Sequence, residues 1–238
     1  MTPDIFDLYD VIDATWPAAS YQTLGHWTIR EGQGGGSRVS AATHDRSQDY
    51  DPDPAIHAMR ALEQTPIFMI RKDQEALDHM LEERGFVIKD PVNLYVAPIE
   101  LIATERPKAA TQFVAFPPVA VQREIWSEGG IGQARLDIMD RAQCPKATFL
   151  GRIDERAAGT AYVGVSNGVA MLHALETRQQ FRRQGLARNM MRSMGFWARD
   201  NGAEHFALLV TQANIGANAL YSSLGMEIVG QYHYRVVS

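Results

Sequence analysis

Arg182-Arg183-Gln184-Gly185-Leu186-Ala187 places two guanidinium groups, a glycine and an alanine where an extended apolar segment, residues 170–177, gives way to an amphipathic run from residue 185 to about residue 200. The first amides of a helix have no partner inside it. Together with the positive end of the helix dipole they form a cradle for an anion, and one of this width suits a diphosphate. Gly185 lets the backbone come close to a phosphate, Ala187 is too small to obstruct it, and the two arginines add charge. A plain helix start decorated with arginines would read the same locally, so the surrounding elements decide. No lysine followed by Ser or Thr comes after the glycine, which argues against a nucleotide-binding P-loop.

Those elements are legible from about residue 111. Residues 111–116 form a short apolar strand punctuated by Pro117-Pro118, and helical spacing follows at Val121, Ile125 and Trp126, then at Leu136, Ile138 and Met139. Strand-like runs cover 148–153 and 159–165, and Asn167-Gly168 joins the second to 169–175, a pair suited to the positive φ of a tight hairpin. The helix after Gly185 carries Leu186, Met190, Met191, Met194 and Trp197 on one face and closes at Asn201-Gly202. A strand at 205–210, a helix at 215–224 stopped by Gly225 and a strand at 232–237 complete the order. Hairpins followed by β-α-β-α-β predict an α+β fold with a mixed sheet.

The N-terminal half echoes this pattern. Strand 67–70, helix 75–84, Gly85-Phe86 and strand 92–96 match 207–210, 215–224, Gly225-Met226 and 232–236 on a shift of 140 residues. Two related lobes are expected: residues 1–99, a linker at 100–110 (ELIATERPK and its neighbours), and residues 111–238. Gly32-Gln33-Gly34-Gly35-Gly36, between strand-like 27–30 and 38–42, lacks a following helix and reads as a hairpin loop.

The segments ALETRQQFRRQGLARNMM and FALLVTQANIGANALYSSLGMEIVG, in this order of elements, resemble the GNAT superfamily of N-acetyltransferases over residues 113–237. The family pattern (Gln/Arg)-x-x-Gly-x-(Gly/Ala) is met by Arg182, Gly185 and Ala187. The resemblance implies an acyl-CoA N-acyltransferase fold and acetyl-CoA as co-substrate, with no metal. The amides of Arg183, Gln184, Gly185, Leu186 and Ala187 would then hold the pyrophosphate, and the backbone of Leu175, Glu176 and Thr177 the pantetheine arm. Tyr221 stands where the family carries a tyrosine near the coenzyme sulfur, able to protonate the departing thiolate; a core tyrosine is the plain alternative. Asn214 would bond the pantetheine or simply cap the helix that follows it. No such turn occurs in the first half, and Leu81 replaces Tyr221 under the 140-residue shift, so the first lobe is expected to be a degenerate GNAT lobe without chemistry.

An amine nucleophile must shed a proton, so a base is required. Glu176 is preferred, with His173 the alternative; on a regular strand the two face opposite sides, and only a bulge would bring both to one face. Trp16, Arg30, Arg38 and Trp126 are candidate pocket-lining residues with equally plain packing roles, and Cys144 has no His or Asp pattern beside it.

The expected reaction is direct acetyl transfer to a small-molecule amine or amino acid. A protein N-acetyltransferase, a non-catalytic acyl-CoA sensor and a preference for another acyl-CoA are the alternatives. A chain of 238 residues with net charge −5 and interspersed charges has no basic stripe for nucleic acid. A single cysteine, four aspartates before residue 14 and no 18-residue apolar run argue for a cytoplasmic protein without a leader or membrane span, and a homodimer is allowed.

Overall fold

The computed structural model describes residues 2–47 and 49–237. The first half runs α1 (Ile5–Thr15), β1 (Ser20–Leu24), β2 (Trp27–Glu31), α2 (Ser37–Ser40), β3 (Thr43–His44), α3 (Asp53–Ala61), β4 (Ile67–Ile70), α4 (Glu75–Glu83), β5 (Phe86–Pro98) and α5 (Ile99–Ile102). The second runs β6 (Gln112–Ala115), α6 (Ala120–Glu128), α7 (Gln133–Arg141), β7 (Lys146–Ile153), β8 (Arg156–Ser166), β9 (Val169–Thr177), α8 (Leu186–Asp200), β10 (His205–Thr211), α9 (Ile215–Ser223) and β11 (Glu227–Val237). The fold is α+β with a mixed sheet, as the order of elements predicts.

Local chemistry explains much of this. Asp4 accepts from the amide of Phe6 while Asp7 accepts from the amide of Asp4, so two of the N-terminal aspartates form the reciprocal cap of α1. Asn167 and Gly168 take φ of 50° and 73°, the positive values a two-residue hairpin between β8 and β9 demands. The methionine face of α8 is sealed, with Met190, Met191 and Met194 each 0% exposed.

Eight strands form one sheet in the order β4-β11-β5-β10-β9-β8-β7-β6, and β1-β2-β3 form a second that touches β4 through a parallel bridge between Ala42 and Phe68. The final strand of each half is exchanged: β5 pairs with β10, and β11 pairs with β4. The registers are equivalent, because the pair Ile67↔Val236 becomes Ala207↔Val96 when the halves are exchanged by a 140-residue displacement. The internal echo is therefore a pseudo-two-fold axis between β5 and β11.

Two local expectations differ from the structure. Residues 38–42 do not form a strand; Ser37–Ser40 is a helical turn that buries Val39 against α7. The segment read as a linker opens with α5, whose Ile99 and Ile102 are buried, because charge at Glu100, Glu105 and Arg106 masks an apolar anchor under α8. The first half also contributes directly to the second: Thr15 and Trp16, at the end of α1, reach β9.

Candidate functional site

Strand β9 carries the local irregularity around which the site is built. His173 pairs with Tyr162 and Glu176 with Thr160, so two residues of β9 stand opposite one of β8. This bulge at Ala174-Leu175, with Ala174 at φ 52°, reverses the parity of the strand. His173 and Glu176 consequently lie on the same face, the one covered by α6. The Trp126 indole N–H donates to the Ala174 carbonyl at 2.7 Å, and Trp126 is fully buried, so α6 holds the bulge in place. Parallel pairing of β9 with β10 stops at Leu172↔Leu208, and beyond it the strands part, leaving the edge of Leu175, Glu176 and Thr177 without a strand neighbour on the β10 side among the described residues.

The chain then turns through Gln179–Phe181 into α8. Arg183 and Gly185 have φ of 63° and 79°, a left-handed pair that points successive amides outward. Among the described residues the amides of Arg183, Gln184, Gly185, Leu186, Ala187 and Arg188 donate no hydrogen bond. A Cβ built on Gly185 would meet nothing within 4 Å, so the space it faces is open. Partnerless donors, an open approach and a helix dipole fit a diphosphate. Arg178 anchors the turn by a bidentate pair to Glu128 at 2.7 and 2.8 Å. The corresponding loop of the first half, between β3 and α3, carries Asp45, Asp49, Asp51 and Asp53. That charge repels a diphosphate.

Tyr221 lies on the inner side of α9 with its ring 5.8 Å from Tyr95. Its hydroxyl makes no hydrogen bond among the described residues, and burial pushes its pKa up to about 12, so the phenol stays protonated at neutral pH. Asn214 caps α9 by accepting from the Ala217 amide at 3.1 Å. Glu176 packs against the glycine end of α6, where a Cβ on Gly129 would come 2.7 Å from its carboxyl carbon. Its carboxylate lies 3.3 Å from Arg182.

His173 is buried and fully engaged. Arg38 donates to its Nδ1 at 3.0 Å; a guanidinium only donates, so Nε2 carries the proton and gives it to Thr15 Oγ1 at 2.9 Å. Thr15 in turn donates to the Val11 carbonyl at 2.7 Å. Trp16 stacks on the ring at 4.8 Å. Burial, then the Arg38 charge, holds the His173 pKa well below the usual histidine value. Arg30 is paired with Asp13 at 2.6 Å and braces β2, and Cys144 is half-buried with its thiol pKa raised by burial. Thr15, Tyr95, Asn93 and Asn218 carry no sequence signal for their part here: Asn218 gathers Asn93 and Tyr95 across the lobe junction at 2.9 and 3.1 Å.

The comparisons agree with this geometry. The family described as Acetyltransferase (GNAT) family matches residues 117–226. An uncharacterized N-acetyltransferase, YobR of Bacillus subtilis (strain 168), is 32% identical over 95 residues, which span 39% of this chain and 38% of that protein. A GCN5-related N-acetyltransferase from Kribbella flavida shares the fold at a TM-score of 0.72 and 18% identity, covering 100% of this chain and 96% of that one. A tandem GNAT protein of the clavulanic acid biosynthesis pathway superposes at 0.62 and 11% identity, covering 96% and 86%. No helix among the described residues is long and apolar enough to cross a membrane. The glycine turn, the bulged strand and the parted β9 and β10 all lie inside residues 117–226, the stretch that matches the GNAT acetyltransferase family.

Proposed function

We propose that this protein transfers an acetyl group from acetyl-CoA directly to the amine of a small molecule or amino acid. The observation that carries this reading is the row of partnerless amides at 183–188 at the foot of the parted strands. The amides of Arg183 to Ala187 would hold the diphosphate, the free edge of Leu175 to Thr177 the pantetheine arm, with Asn214 beside it. The acceptor approaches from the face that carries Glu176.

In the reaction an ammonium acceptor first loses a proton to Glu176, directly or through a water. The amine nitrogen then attacks the thioester carbonyl, and the C–S bond breaks as the tetrahedral intermediate collapses. Tyr221 protonates the departing thiolate and recovers its proton from the amide nitrogen being formed. The products are the N-acetylated amine, free CoA and one proton. His173 has no free lone pair and a depressed pKa, which assigns it to positioning rather than to the base role. The first lobe encloses the acceptor and takes no part in the chemistry. A single cysteine suits a reducing, cytoplasmic setting.

The test is thiol release from acetyl-CoA across a panel of amines with Tyr221→Phe and Glu176→Gln. Each variant is expected to lower turnover by about 10²–10⁴-fold with CoA affinity nearly intact. Full activity in both would remove the acid–base assignment, and CoA binding without thiol release from any amine would favour a sensor.

A further inference from the structure

Among the described residues two arginines are buried, and both are compensated, whereas Arg38 is half-buried with its Nε atom sealed from solvent. Arg30, 2% exposed, has Asp13, the Ala41 carbonyl and Thr43. Arg235, 3% exposed, has Asp78, Glu82 and the Phe86 carbonyl. Arg38 breaks the pattern. Its Nη1 is spent on His173, its Nε is buried with no hydrogen-bond partner, and it forms no ion pair among the described residues. The other groups facing it are the hydroxyls of Tyr232 and Tyr234, from β11 of the opposite lobe. Both are phenols, and burial keeps Tyr234 protonated. Arg71, half-buried, lies near Tyr232 and over the Tyr9 ring at 4.2 Å; it makes no ion pair among the described residues, although Asp13 is near it, and it lines a cavity of about 250 Å³ together with Glu75 and Asp78.

A buried cation without a counter-charge is costly, and leaving a donor unmade adds to that cost. A fold that retains an unmet guanidinium donor beside the bulged strand is prepared for an anion. The free Nε edge of a guanidinium is a flat fork that matches the two oxygens of a carboxylate. Here the fork cannot swing: His173 holds Nη1, and the chain through Thr15 to Val11 and the stack on Trp16 fix the imidazole. His173 is also the residue immediately before the bulge, so the fork lies beside the point at which β9 and β10 part.

Building on the acetyltransferase reading, we propose that Arg38, backed by Arg71 near Tyr232, is the carboxylate subsite of the acceptor cleft, and that the acceptor is an amine that carries a carboxylate, an amino acid or a relative of one. The subsite is assembled between the lobes: the guanidinium comes from α2, the phenols from β11, and the imidazole that orients it from β9. This is a reason for the degenerate lobe to persist.

The experiment uses the full chain. Thiol release from acetyl-CoA is measured with free amino acids, the same amino acids as carboxamides, and the decarboxylated amines. Free acids are expected to show kcat/KM at least about tenfold above their carboxamides, since a charge-assisted bidentate pair is lost in the latter. In Arg38→Gln that ratio should collapse toward one through KM for the acid, while KM for acetyl-CoA holds; Arg38→Lys should restore only part of it. Calorimetry on the unmodified, CoA-loaded protein with N-acetyl amino acids and their amides gives a second reading that needs neither turnover nor a variant: the acids should bind at least about tenfold tighter. Equal kinetics for acids and carboxamides would overturn the subsite while leaving the transferase intact. Failure of any amine to release thiol, with the acids still binding preferentially, would keep the subsite and remove the transferase reading. No binding preference for the acids, or inhibition by inorganic phosphate equal to theirs, would overturn the proposal.

Discussion

Asp78 and Asn218 occupy equivalent positions on α4 and α9, and each gathers the equivalent two side chains from the exchanged strand. Asp78 accepts from Arg235 Nε at 2.6 Å and lies 2.8 Å from His233 Nε2. Asn218 accepts from Asn93 at 2.9 Å and from Tyr95 at 3.1 Å. The strand exchange thus carries its own polar clamp at both ends, ionic in the first lobe and neutral in the second. The neutral clamp lies on the same helix as Tyr221, where, on the proposed mechanism, a fixed charge would bear on the departing thiolate.

The ionic clamp should matter to stability. Burial by itself would raise the Asp78 pKa, but hydrogen bonds from Arg235 and then His233 more than offset it and the pKa is lowered. Its contribution is therefore complete above the ordinary aspartate pKa of about 4 and is lost as pH falls through the folded value. Asp78→Ala leaves the buried Arg235 with only the Phe86 carbonyl and the more distant Glu82, and should cost roughly 3 kcal/mol in urea unfolding at pH 7, less at pH 3. An equal loss at both pH values would mean packing, not charge, is at stake.

Trp126→Phe keeps an aromatic ring under β9 but removes the donor to the Ala174 carbonyl. A void and an unmet carbonyl together predict a loss of roughly 2 kcal/mol or more. Turnover should fall further than CoA affinity, because the bulge sets the position of Glu176 while the turn at 183–188 is untouched. A parallel loss of both would place the effect in general unfolding.

His173 makes acid sensitivity visible. Its folded pKa lies well below the ordinary value of about 6.5, so between the two the unfolded chain takes up a proton that the native one refuses. Stability should therefore decline as pH falls below about 6.5. In His173→Gln, which can still accept from Arg38 and donate to Thr15, that part of the slope should vanish in thermal unfolding measured from pH 7 to pH 5. An unchanged slope would mean that the imidazole is not held neutral.

Gly185→Ala tests the diphosphate cradle. A Cβ at φ 79° costs about 1–2 kcal/mol of backbone strain but touches no other protein atom within 4 Å. The methyl group projects into the space facing the amides, so CoA affinity by calorimetry should fall by about tenfold or more, which is larger than strain in a folded protein explains. Unchanged affinity in the folded variant would move the diphosphate elsewhere.

The C-terminal elements are legible in the sequence because their causes are local. The methionine stripe of α8, the positive-φ pair Asn167-Gly168 and the glycine turn before Leu186 state their conformations within a few residues. The first half is less readable for the same reason: Arg38 to Ala42 alternates like a strand, yet α2 forms there because Val39 finds its cover on α7, far away in sequence. The 140-residue echo announced two related lobes, but not that their last strands change places. Whether His173 and Glu176 share a face could not be read from their spacing, since it turns on one extra residue in β9, held by the indole of Trp126 from another element. Short-range pattern thus determined most of the C-terminal elements, the resemblance to the GNAT superfamily and the glycine turn before α8. Tertiary structure alone decided the bulge, the strand exchange and the meeting of Arg38 with His173, because each depends on which distant segments pair and in what register, and pairing energy belongs to both partners at once.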